Sequence, residues 1–71
     1  MIENIETLAD ALPKEQARVR KVLTAYKETG PAGAFGATMI EHVLRRADVA
    51  VMSGDVVAML GVFNELKGID V

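Results

Sequence analysis

Apolar residues return at three- and four-residue steps along nearly the whole chain, and that period leaves little choice of architecture. In PKEQARVRKVLTAYKETG, Val19, Val22, Leu23 and Tyr26 fall at i, i+3, i+4 and i+7. They form a stripe about 100° wide, the width of a surface helix lying on a core. No stretch sustains a period of two and no hairpin turn signal occurs, so strands are not expected.

Proline and glycine divide this periodic chain into four segments. Ile2, Ile5, Leu8, Ala9 and Leu12 predict a one-faced helix over residues 2–11, which Pro13 should end by removing a donor and restricting Leu12. Pro13 also suits the first position of a second helix over 13–29. Gly30 and Pro31 stop that helix. A third helix is expected over 33–52, where Phe35, Met39, Ile40, Val43, Leu44, Ala47, Ala50 and Val51 spread over about 180°, nearly twice the ordinary stripe. Ser53 or Asp55 can cap a fourth helix over 55–67, with Val56, Met59, Leu60, Phe63 and Leu66 facing inward and Gly68 closing it. Short connections make successive helices antiparallel neighbours. The expected fold is all-α: one domain over 1–71, a compact bundle of three to four helices.

Size turns this into an argument about association. A chain of 71 residues sits where a hydrophobic core alone is marginal and disulfides, a metal or a partner usually reinforce it. There is no cysteine and His42 is the only histidine, which removes disulfides and the usual zinc ligand sets. A partner chain is the reinforcement left. Hydrophobic residues make up 51% of the chain, more than the four stripes use. Val49 and Met52 on the third helix and Val57 and Val62 on the fourth lie outside the best core stripes. They are the candidate protein interface, because clustered exposed apolar residues mark contact surfaces.

The segment GPAGAFGATM is the one stretch that could pass for a binding loop. Gly30, Gly33 and Gly36 give GxxGxxG. Phosphate-cradling glycines follow a strand and open a helix, whereas here a helix precedes them and no P-loop lysine follows. The expected role is a helix joint with close packing through small residues; a small-molecule pocket there is the less favoured reading. His42 lies beside Arg45 and Arg46 on the polar side of the third helix, as a solvated residue available to another chain. Lys14, Arg18, Arg20, Lys21 and Lys27 oppose Glu15 and Glu28 in the second helix, a local charge of +3. They are expected to be solvated or paired with acids of the same chain. As an alternative they form a patch for nucleic acid or an acidic partner. The net charge of −2 supplies no global field for nucleic acid. Hydroxyls such as Thr7 and Ser53 have no histidine or lysine at a recognisable spacing, so no catalytic site, metal or cofactor is expected.

Two resemblances carry over. ADVAVMSGDVVAMLGVFNELKG resembles one tetratricopeptide-type helical hairpin, which implies a helical hairpin for that third of the chain. LPKEQARVRKVLTAYKETGPAGAFG with MIEHVLRRADVAVMSGDVVAML resembles short all-helical proteins of bacterial genomes, often encoded near phage-derived genes. That implies a bacterial accessory protein and brings no functional residues with it. MIENIETLADAL lacks the basic head of a secretory signal, and no apolar run reaches the roughly 20 residues of a membrane span. The expectation is a cytoplasmic, non-enzymatic interaction module that self-associates or binds a bacterial host protein. The alternative is a small nucleic-acid-binding regulator using the second helix.

Overall fold

The computed structural model describes residues 7–70, and these form three packed helices: α1 Leu8–Glu28, α2 Ala34–Ser53 and α3 Val56–Lys67, with one 3₁₀ turn, Gly30–Gly33, between α1 and α2. No strand occurs among the described residues. Each helix touches the other two. The cross-links give their directions. Lys27 meets Glu41 while Arg20 meets Asp48, so α2 runs antiparallel to α1. Arg46 meets Glu65 across the turn at Gly54, so α3 runs back along α2.

Pro13 does not separate two helices. α1 continues through it from Leu8, and the boundary expected there is corrected. Pro13 is the sixth helical residue, so its ring removes the bond to the Ala9 carbonyl with only one turn of helix on its N-terminal side. The entry is held otherwise. Thr7 caps α1, its hydroxyl accepting from the Asp10 backbone N–H at 3.2 Å and donating to the Asp10 carboxylate at 3.0 Å. Leu12, beside the proline, is fully buried, and Pro13 is exposed. Burial and capping outweigh the lost bond. Ile2 and Ile5 of the expected first helix lie outside the described residues.

The core joins Leu12, Val19 and Val22 of α1 to Ile40, Leu44, Ala47 and Ala50 of α2 and Met59, Val62 and Leu66 of α3. In α3 this stripe differs from the expected one. Val56 and Leu60 are exposed, Phe63 is partly buried, and Val62 is 2% exposed. Val62 is therefore a core residue and not part of an outer surface. In α2, Phe35, Met39 and Val51 are exposed while the smaller Ala37 is buried.

The joint explains how α2 folds back on α1. Gly30 has φ +72°, the left-handed region in which a side chain is strained, and lets the chain turn out of α1. Gly33 and Gly36 then pass against Tyr26. A Cβ on Gly33 would strike the Tyr26 backbone carbonyl and the Thr29 hydroxyl, and one on Gly36 would lie 2.6 Å from the Tyr26 ring. Gly61, in the middle of α3, would meet nothing within 4 Å.

These three glycines should respond differently to alanine. Gly33→Ala is expected to cost about 3 kcal/mol because a backbone carbonyl must move. Gly36→Ala should cost about 1 kcal/mol, overpacking against the ring outweighing the gain in helix propensity. Gly61→Ala should stabilise by about 1 kcal/mol, the propensity term alone. Urea melts of the three variants check the order; a Gly36→Ala protein more stable than the parent would contradict the close packing.

Candidate functional site

The polar side chains fall into two sets. One set ties the helices together. Gln16 is 5% exposed and donates from Nε2 to the Asp48 carboxylate at 2.8 Å, satisfying a buried amide between α1 and α2. Arg18 forms a two-point pair with Glu15 at 3.0 and 3.1 Å and also donates to the Leu66 carbonyl at 2.9 Å. That last bond adds a donor from α1 to an end-of-helix carbonyl of α3 that also accepts from the Ile69 N–H at 3.0 Å. Tyr26 donates its hydroxyl to the Asp70 carbonyl at 3.2 Å. Gln16 was not legible as a functional or structural residue, because a glutamine in a charged helix reads as solvated.

The basic residues of α1 belong mostly to this set. Arg18 is held by Glu15, Arg20 lies 3.7 Å from Asp48, and Lys27 lies 3.0 Å from Glu41. Their partners come from α1 and α2. Lys14 and Lys21 are exposed, and Lys21 has no partner among the described residues. Three of the five cations are thus already beside carboxylates, which removes much of the field a phosphate backbone would need.

The second set lines the outer face of the α2–α3 hairpin. An open groove of about 550 Å³ runs between the two helices on this face. Ala50, Ala58, Gly61 and Val62 form its floor, His42, Arg45 and Arg46 its basic end, and Ser53 and Asp55 its other end. The hairpin tip is built by local chemistry. Gly54 at φ +69° closes α2, and Asp55 caps α3 by accepting from the Val57 and Ala58 backbone N–H groups at 3.1 and 3.2 Å. Ser53 stays with α2, donating to the Ala50 carbonyl and accepting from the Asp55 N–H.

Exposed apolar side chains occur at this groove and on the helix strips next to it. Val49 is 64%, Met52 87% and Val57 82% exposed. Met52 lies three residues from Val49 and Val57 four from Gly61, so each falls on the strip of its own helix next to a groove-lining residue, outside the lining itself. Val56 and Leu60 are exposed too, on the flank of α3 turned away from Ala58 and Gly61. Of the four residues expected at the interface, Val49, Met52 and Val57 are exposed, Val49 lines the groove, and Val62 is buried in its floor.

At the basic end Arg46 grips Glu65 through two bonds of 2.7 Å. That hydrogen-bonded pairing holds the Glu65 carboxyl below the usual carboxylate range, partial burial opposing and the charges of Arg46 and His42 adding to the effect. The same bonds raise the Arg46 pKa above its ordinary value. His42 and Arg45 are exposed. No cluster of three His, Cys, Asp or Glu side chains able to hold a metal occurs among the described residues. No helix there is long and apolar enough to cross a membrane.

No protein-family model matches this chain, and no curated protein or solved structure shows significant similarity to it.

The depressed carboxyl gives a pH test. Its folded pKa lies below the unfolded value of about 4.3, so the contribution of Glu65 is present above that value and lost as pH falls through the folded pKa. Glu65→Gln is expected to melt a few degrees lower than the parent at neutral pH, the pair being half exposed. The difference should close at strongly acidic pH. Thermal melts across a pH series read it, and a gap that stays constant would rule out the charge as its origin.

Proposed function

We propose that this chain is a non-enzymatic helical interaction module of the bacterial cytoplasm, docking through the outer face of the α2–α3 hairpin. The observation that carries the reading is the concentration of exposed apolar side chains at one end of a small bundle: Val49, Met52, Val56, Val57 and Leu60. Isolated exposed apolar residues are ordinary, but several at one end of a small bundle, with Val49 lining a groove there, support a contact surface. The partner is a copy of the chain or a bacterial host protein, the latter in keeping with the resemblance to phage-associated helical proteins. The reading that α1 binds nucleic acid has less support, since Arg18, Arg20 and Lys27 already face carboxylates.

The test is the double variant Met52→Glu/Val57→Glu. Both positions are solvated, so its helical circular dichroism and melting temperature should stay close to those of the parent. Association, measured by light scattering on a sizing column or by titration with a candidate protein, should be lost. Association by the parent should survive or strengthen in high salt, as apolar burial does. Oligonucleotide binding that collapses steeply with salt would instead establish the basic helix as the functional surface. Unfolding of the double variant would mean these residues belong to a core.

A further inference from the structure

We infer that the occupant of the α2–α3 groove is a second copy of this chain, packed antiparallel about a two-fold axis that crosses the groove perpendicular to the helices. The inference rests on the reading that this face docks and adds the partner and its orientation.

Charge at the two ends of the groove gives the orientation. Asp55, at the hairpin tip, uses its carboxylate to cap its own helix and has no cationic partner among the described residues. Arg45, at the opposite end, has no ion-pair or hydrogen-bond partner among them either. Arg46 beside it is already engaged by Glu65. From Arg45 to the end of α2 at Ser53 is about 12 Å of helix rise. The groove therefore carries unneutralised charges of opposite sign at its two ends. A parallel copy would set like charges against like. An antiparallel copy sets each Asp55 level with Arg45 of the second copy, so one complementary pair occurs twice in the dimer, as an isologous interface requires.

The middle of the groove fits the same arrangement. The Arg46–Glu65 contact sets the antiparallel register of α2 and α3, and counting inward from it places Val49 and Ala50 level with Gly61 and Val62. Val49 stands out from this level and Gly61 leaves it open, since a Cβ there would meet nothing within 4 Å. A glycine inside a helix costs stability that no contact within the chain recovers here. The open position lets a second backbone approach, with Val49 of each copy over the other's shallow centre and Met52 and Val57 closing the rims.

Reciprocal charge reversal tests the geometry. Arg45→Glu and Asp55→Arg, taken singly, each place two like-charge contacts in the homodimer and should weaken it by about tenfold or more. Mixed in equal amounts, the two variants should recover a dimer, now a heterodimer in which both contacts join opposite charges. Asp55→Arg also removes the cap of α3, so helix content is read for each variant. If it falls, Asp55→Asn keeps a cap oxygen, removes the charge and should still weaken the dimer at low salt. Gly61→Gln should raise the melting temperature at concentrations where the chain is monomeric and abolish the dimer, a combination that general destabilisation does not produce. A parent chain that sediments as a monomer at every concentration overturns this inference and leaves the docking face intact for a different protein. A dimer abolished by Met52→Glu/Val57→Glu but not recovered by the charge-reversed mixture overturns the orientation. A dimer that survives Met52→Glu/Val57→Glu overturns the docking face as well.

Discussion

Tyr26 is the residue around which the remaining chain is arranged. Its carbonyl accepts from the Thr29 hydroxyl, its ring lies over Gly36, and its own hydroxyl reaches the Asp70 carbonyl after α3. Gly33 passes where any side chain would strike the same carbonyl. One side chain and one peptide group therefore touch the end of α1, the start of α2 and the tail of α3. The glycine-rich joint needs no ligand to account for its composition, because the close approach of its own tyrosine already requires the missing side chains.

That joint fixes the angle of α2 on α1, and the short α3 closes what it can. α3 has 12 residues against 21 in α1 and 20 in α2, so it covers only part of the trough between them. Two polar pins hold it in place, Arg18 on the Leu66 carbonyl and Arg46 on Glu65. Both act at the C-terminal half of α3. The N-terminal half is held by its Asp55 cap and by Met59 in the core, and its remaining apolar side chains stay in water. The exposed face is thus a geometric result of three helices of unequal length, one end of the hairpin having no fourth element against it among the described residues.

The helical class and most helix ends were legible because they depend on local rules: a period, a left-handed glycine, a capping carboxylate. Pro13 misled because its local penalty was outweighed by the burial of Leu12 and the Thr7 cap, which no window around the proline displays. α3 misled differently. VVAMLGVF is apolar on every side, so several faces satisfy the period equally and the packing of α1 and α2 decides which is buried. Val62 went inward and Val56 and Leu60 outward. Val49, Met52 and Val57 were legible as surplus because they lie off the stripes read for α2 and α3, and all three are exposed. The groove between them was not legible, since it depends on the register set by Arg46 and Glu65, residues nineteen apart in sequence.

Electrostatics and apolar exposure point to the same face from opposite directions. Across α1 the cations Arg18, Arg20 and Lys27 each lie by a carboxylate of their own chain, so much of the charge on that side is neutralised locally, Lys21 excepted. On the hairpin face Arg45 and Asp55 have no such partners among the described residues. Exposed ion pairs contribute little to folding, so leaving these two unpaired costs the fold almost nothing. Their value lies in specifying orientation when an apolar surface, which by itself has no preferred direction, comes into contact with another. In the proposed dimer a hydrophobic strip would supply the driving force and a charge at each end the register. In this molecule Val49, Arg45 and Asp55 all line the groove on the outer face of the α2–α3 hairpin.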